Sequence, residues 1–375
     1  MSLIKGWCPD AWHPMTAGDG LLVRVRPPLG RIDGGQLAGL CDAAMAHGNG
    51  LIDLTSRANL QLRGVSAQGW QSLIARLFAL GLVHADPVLE SRRALLIAPD
   101  WQSGDDSARI AGELAERLAE LPDLPAKTGF LIDAGMARRL AGEAGDFRIE
   151  RSATGGLILR ADGRSTGIAV TRDKAVDALI ALAHWFVASG GAQAGRMARH
   201  AAPLPDWAQG DIAPASATAP VRPGRHPLGF VYGAPFGQVA AATLARLAPH
   251  ALRLTPWRTL IVQGSAGDAI DGLLRDASDP LLRVDACPGQ PRCPQATVET
   301  RALARSLAPH VSGRLHVSGC AKGCARAAPA DLCLTGREGR YDLARNASAA
   351  APPQQAGLDR SAILDLLGVP DAACL

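Results

Sequence analysis

The chain has 375 residues, enough for two or three domains that each bury a core. It is 47% hydrophobic with 4% aromatics, and no apolar run reaches the roughly 18 residues that signal a membrane span. The formal net charge is only +4 and no lysine-rich run appears, which argues against a nucleic-acid binder.

The start, MSLIKGWCPDAWHP, lacks the apolar core of a signal peptide, so a soluble cytoplasmic protein is expected, with neither membrane nor nucleic acid as partner. In that compartment the eight cysteines do not read as a disulfide scaffold.

In chain order, residues 21–26 predict a short strand, ended by Pro27, Pro28 and Gly30. Residues 34–47 suit a helix, with Leu37, Leu40, Cys41 and Ala44 at helical spacing. The segment 51–63 reads as one second strand, parallel to the first across a helical crossover. Further on come a helix at 68–80, a strand at 93–97, a helix at 107–119, a strand at 129–133 and a helix at 175–187. The Pro- and Ala-rich stretch 201–227 reads as a linker, and a second linker at 347–357 precedes a short helix at 359–367.

The first pattern then returns. Pro28, Gly30, Leu37 and Leu40 recur as Pro235, Gly237, Leu244 and Leu247, a shift of 207. Leu54, Thr55, Leu60 and Gly64 recur as Leu254, Thr255, Leu260 and Gly264, a shift of 200. Both copies read strand, P-x-G turn, helix, strand.

Near the C-terminus, Cys287 and Cys293 form C-x5-C, and Cys320 and Cys324 form C-x3-C. Each pair follows a strand-like run, so the four thiolates can converge on one iron–sulfur cluster. A zinc site fits the first spacing less well, since structural zinc favours two- to four-residue gaps. Cys8, Cys41, Cys333 and Cys374 lie apart and read as packing residues.

A basic wall marks the first repeat. In the run 58–64, Leu60 and Leu62 point one way, and Arg57, Asn59, Gln61 and Arg63 share the other face. Arg24 and Arg26 share a face of the first strand. Guanidinium groups offer two-point hydrogen bonds to carboxylates. The second repeat has Val231, Gly233, Trp257 and Gln263 instead, so this wall belongs to one repeat.

ACPGQPRCPQA followed by HVSGCAKGCARA resembles the cluster motif of the nitrite and sulfite reductase family. The resemblance implies an α/β (α+β) fold, with two ferredoxin-like half-domain repeats and sulfite-reductase-like α/β domains that carry the cluster. The implied division is 1–85 for repeat 1, 86–200 for the first α/β domain, 201–227 for the linker and 228–275 for repeat 2. The cluster domain then covers 276–346, and 347–375 a C-terminal linker and helix.

In that family basic residues hold the carboxylates of sirohaem. By resemblance Arg26 matches R-x-R-x-P, and Arg57 and Arg63 flank T-x-R-x-x-x-Q, Arg63 standing where sulfite reductases carry histidine. Arg92 resembles an R-N-V strand entry with Arg93 in place of asparagine, and Lys127 the first lysine of P-x-K-x-x-F, the second being absent. The opening from Cys8 to Arg24 and the segment HGNGLIDLTSRANLQLRG are similar to a short branch of this family. That branch oxygenates precorrin-3A in aerobic cobalamin biosynthesis.

The resemblance to this branch implies a tetrapyrrole as substrate rather than cofactor, O2 as co-substrate, and a 4Fe-4S cluster passing single electrons derived from NADH. No G-x-G-x-x-G follows a strand, so a separate reductase is expected to handle the nicotinamide. A mononuclear non-haem iron has been associated with the branch, and His84-Ala85-Asp86 has ligand-like spacing, although it reads first as a surface connection after a helix. The remaining alternatives are a sirohaem-dependent reductase and a non-catalytic iron–sulfur carrier.

Overall fold

The structure is a computed structural model in which residues 9–369 are described; Cys8 and Cys374 lie outside that range. Helix Gly34–His47 begins where sequence chemistry asks it to. Asp33 caps it, accepting from the Gln36 N–H while the Gln36 side chain reaches back to the Asp33 N–H. Leu37, Leu40, Cys41 and Ala44 form its buried face.

The expected single strand 51–63 is a hairpin of Leu51–Leu54 and Leu60–Val65. Thr55 makes the turn: its Oγ1 accepts from the backbone N–H of Arg57 and Asn59, and Ala58 sits at φ 52°. Strand Leu60–Val65 inserts between Gly20–Val25 and Leu51–Leu54 and runs antiparallel to both. The outer two therefore run parallel without touching.

The second repeat reproduces this turn residue by residue. Thr255 Oγ1 accepts from Trp257 and Thr259, as Thr55 does from Arg57 and Asn59. Left-handed Leu29 and Ala58 have left-handed mates in Phe236 and Arg258. Such conformations are uncommon for residues with a Cβ, so their recurrence at the same shifts marks one duplicated fold.

The two repeats also exchange strands. Gln238–Ala240 from the second pairs with Leu51–Leu54 of the first, and Arg31–Ile32 from the first pairs with Leu252–Leu254 of the second. Each five-stranded sheet is thus completed by the other, and one hydrophobic core, with Leu37, Leu62, Leu244 and Leu260, runs through both.

The duplication extends further than the sequence pattern indicates. The sheet Leu95–Ile97, Phe130–Asp133, Phe147–Arg151, Leu157–Ala161, Ile168–Val170 has two parallel pairings followed by two antiparallel ones. The sheet Val284–Ala286, Leu315–Ser318, Ala330–Arg337, Arg340–Ala347, Gln355–Leu358 has the same order and directions. Each carries its own core.

The two Pro/Ala-rich stretches are integrated into this frame. Within 201–227, Gly224–His226 pairs with Gly229–Gly233, while Ile212, Pro214 and Ala217 bridge to the first α/β domain. Within 347–357 begins the edge strand Gln355–Leu358. Between the two cysteine pairs runs the short helix Arg301–Leu307.

Candidate functional site

The cysteine pairs leave the carboxyl ends of two neighbouring parallel strands, the place where loops of parallel sheets diverge to bind ligands. Val284–Ala286 leads into Cys287 and Leu315–Ser318 into Cys320, with Ala286 opposite Val317. This explains the long gap between the pairs: a helical crossover must fit between them.

The loops are tied together. Gly319 N–H donates to Cys287 Sγ at 3.2 Å, and Thr297 N–H to the Gly319 carbonyl. Gly289 and Gly323 take φ of 66° and 61°, which the tight turns need. Cys287 is buried, Cys293 and Cys320 are half-buried, and Cys324 is exposed. Although Cys324 is exposed at the surface, partial desolvation by the surrounding loop raises its thiol pKa; Lys322 opposes, while Cys287, Cys320 and Cys293 push it up, so the four thiols share one electrostatic neighbourhood. Among the described residues no three His, Cys, Asp or Glu side chains are drawn together at metal-binding distance.

The donors around these loops suit a bound anionic cluster. Among the described residues, buried Arg301 Nε and His316 Nε2 have no hydrogen-bond partner, a cost of about 1–3 kcal/mol each unless a partner is supplied. Arg301 also senses Cys287, although burial is the main cause of its pKa falling to about 10. Four soft thiolates with the Arg301 guanidinium beside them match an iron–sulfur cluster better than a hard cation. Cys41 and Cys333 are buried elsewhere.

From the cluster loops a hydrogen-bonded chain reaches the first repeat. Arg301 and Arg292 donate to Gln238 Oε1, and Gln238 Nε2 donates to Asp53 Oδ1 at 2.6 Å. Asp53 Oδ2 accepts from Arg63 Nη1 at 2.9 Å, and Arg63 also grips Asp19 through Nε and Nη2. The exchanged strand thus places the cluster loops against the first sheet.

Next to the same sheet lies a narrow cleft, lined by Arg24, Arg26, Arg57 and Asn59 and walled by Leu95, Gly129 and Phe130. Four of the eight basic or polar residues singled out from the sequence therefore meet. Arg57 and Asn59 come from the Thr55 turn rather than from strand alternation. Arg57 Nη2 donates to the Lys127 carbonyl at 2.8 Å, and a side chain at Gly129 would stand 3.6 Å from Arg57 Nη1. Arg24 holds Gln61 Oε1 at 2.7 Å.

The other expected residues divide. Arg63 is buried in its aspartate pair, and the Lys127 side chain is exposed on the rim. Arg92 turns away, to Asp123 and the carbonyls of Leu118 and Ala119. Its neighbour Arg93 is the one beside the cleft, donating to the Arg26 carbonyl and to buried Glu90. Arg26 also reaches the Glu90 carbonyl at 2.5 Å. Arg93 and Glu90 were missed because a doublet of arginines does not say which one points inward.

His84 and Asp86 are occupied locally: Asp86 caps helix Pro87–Arg92 through the Val88 N–H, and His84 Nδ1 accepts from the Asp86 N–H. Among the described residues no helix is long and apolar enough to cross a membrane.

The comparisons agree with this architecture. The nitrite/sulfite reductase ferredoxin-like half domain matches residues 13–79. The structure of Mycobacterium tuberculosis NirA superposes with a TM-score of 0.56 at 18% identity, covering 86% of this chain and 74% of that one, a likeness of fold. A ferredoxin–nitrite reductase of Synechococcus elongatus is 28% identical over 38% of this chain and 30% of its own length. A precorrin-3B synthase of Sinorhizobium sp is 32% identical over 94% of this chain and 85% of its own. With its duplicated frame, its paired cysteine loops and likeness over nearly its whole length, this chain belongs to the precorrin-3B synthase family, within the nitrite and sulfite reductase fold.

Proposed function

We propose that this protein is an O2-dependent monooxygenase that converts precorrin-3A to precorrin-3B in cobalamin biosynthesis. One oxygen atom enters at C20 and the ring A acetate closes as a γ-lactone. The second oxygen atom leaves as water, taking two electrons and two protons that derive ultimately from NADH through a separate donor. The observation that carries the reading is the cleft in which Arg24, Arg26, Arg57 and Asn59 face the same space, next to a sheet whose strand Leu51–Leu54 is hydrogen-bonded through Asp53 and Gln238 to Arg301 of the cluster domain.

Cys287, Cys293, Cys320 and Cys324 would hold a 4Fe-4S cluster, which supplies single electrons when bound. Arg26 and Arg57 bind acetate and propionate arms of the substrate as charge-assisted pairs. Glu90 and Arg93 fix Arg26 from behind, and the Lys127 carbonyl fixes Arg57. Leu95 and Phe130 cover the macrocycle edge and keep water from the reacting carbon.

The decisive test is incubation of the anaerobically purified protein with precorrin-3A, a reductant and 18O2. One labelled oxygen and a lactonised product are expected; unlabelled or unchanged substrate overturns the reading. Stoichiometric sirohaem bands in the visible spectrum would instead indicate a nitrite or sulfite reductase. Arg57→Ala should weaken precorrin-3A binding about tenfold with iron content unchanged, as loss of one charged hydrogen-bonding partner implies. Equal dissociation constants by fluorescence titration would remove Arg57 from the substrate site.

A further inference from the structure

Duplication gives the cleft a counterpart in the second half. The strand registers set Trp257, Thr259 and Arg314 where the first half has Arg57, Asn59 and Gly129. All six line their respective cavities. The second cavity is a groove of about 870 Å³, against about 20 Å³ for the first. Single-ligand pockets typically enclose roughly 300–1,000 Å³, so the groove has room for a large molecule.

Its charge is one-sided. Asp285, with a side chain 6% exposed, is surrounded by Arg258 at 2.7 Å, Arg314 at 3.1 Å and Arg326 at 3.6 Å. One carboxylate cannot neutralise three guanidinium groups, and Arg222 and Arg283 line the same groove. Asp279 is the one further carboxylate on its lining.

Arg258 is held in place from two sides. It occupies the left-handed position of the Thr255 turn, where the first half has Ala58, and its Nη2 donates to the Ala325 carbonyl. A basic wall is thus present in both halves, built from different positions: turn and strand residues in the first, mainly the cluster-domain strands and loops in the second.

We propose that this groove is a second ligand site, separate from the first cleft, for a small-molecule polycarboxylate. The walls argue for a small molecule rather than a protein face. Trp257, fixed by its Nε1–H to Glu143 Oε1 at 2.8 Å, forms one side; residues 220–223 and the loop 325–328 form others. An open-mouthed concave site with arginine forks around its lining suits separated carboxylate arms. The proposal stands whether or not the first cleft acts on a precorrin.

Equilibrium dialysis of the full-length, cluster-containing protein with uroporphyrin III, a polycarboxylated porphyrin, tests it at low salt. Arg222→Glu leaves the Asp285 knot intact and should weaken one bound equivalent about tenfold. Arg314→Gln with Arg326→Gln should abolish that equivalent at unchanged iron content. An equivalent lost on Arg57→Ala reports the first cleft, so the two readings fail separately. Binding indifferent to both groove variants overturns the proposal. So does inorganic phosphate displacing the porphyrin as well as citrate does, which would reduce the groove to a generic anion site. If Arg222→Glu slows reduction by a protein donor while porphyrin binding is unchanged, the groove is a docking face and the proposal fails.

Discussion

Serine at Cys287 should leave the purified protein without its iron and acid-labile sulfide, and turnover should fall by more than roughly a hundredfold. Mutations merely beside metal ligands typically cost about 10–100-fold, so loss of a ligand sets a higher floor. Cys287 is the most enclosed of the four thiols and accepts the Gly319 N–H across the two loops. Serine oxygen is a poorer partner for iron in a thiolate set.

The control separates ligation from packing. Cys333 is also buried, against His316 Nδ1 at 3.7 Å, and Cys333→Ala should cost some stability while keeping iron and sulfide. Because metal binding is folding free energy when the site forms only in the folded state, Cys287→Ser should also unfold the cluster domain at lower urea. Iron and sulfide assays with electron paramagnetic resonance of the reduced protein check this. Full iron in Cys287→Ser would show that the four cysteines are not a ligand set.

How much was legible in the sequence depended on whether a residue's role was local. The repeat was visible because turn residues are locally determined: Thr55 and Thr255 close the same turn with their own hydroxyls. The cysteine spacings were visible for the same reason, since turns after strands set them. Strands Phe147–Arg151 and Leu157–Ala161 were not recognised. They carry Arg148, Glu150 and Arg160, which read as surface, yet Glu150 is fully buried among these arginines. Pairing reverses the polarity signal there, and pairing is a tertiary fact.

Strand exchange was equally hidden, because no local signal says that Arg31–Ile32 pairs across the molecule with Leu252–Leu254. The basic groove of the second half escaped for a related reason. Its arginines are scattered from 222 to 326, and only the duplicated α/β sheets bring them together.

Arg63 illustrates the difference between an arginine that looks functional and one that holds the fold. Arg63→Ala should destabilise the protein by about 3–5 kcal/mol, the usual result of removing one partner from a buried ion pair. Two carboxylates lose their partner together: Asp19, with a side chain 11% exposed, and Asp53, at 14%. Burial alone would lower the Arg63 pKa, but Asp53 and Asp19 outweigh it and raise it, so the guanidinium stays charged.

The effect should travel further than the strand. Asp53 also accepts from Gln238, which accepts from Arg301 beside Cys287, so Arg63→Ala should loosen the cluster loops and hasten iron loss to a chelator. Arg57→Ala, which among the described residues removes a hydrogen bond to the Lys127 carbonyl rather than a partner of a buried carboxylate, should shift the urea midpoint little. The suppressor is the sharper test. Adding Asp19→Asn and Asp53→Asn to Arg63→Ala removes the unpaired charges and should recover part of the lost stability, a coupling that independent sites would not show. Strict additivity of the three substitutions in urea titrations would mean that Arg63 is not neutralised by these aspartates, and would return it to the candidate substrate-binding wall.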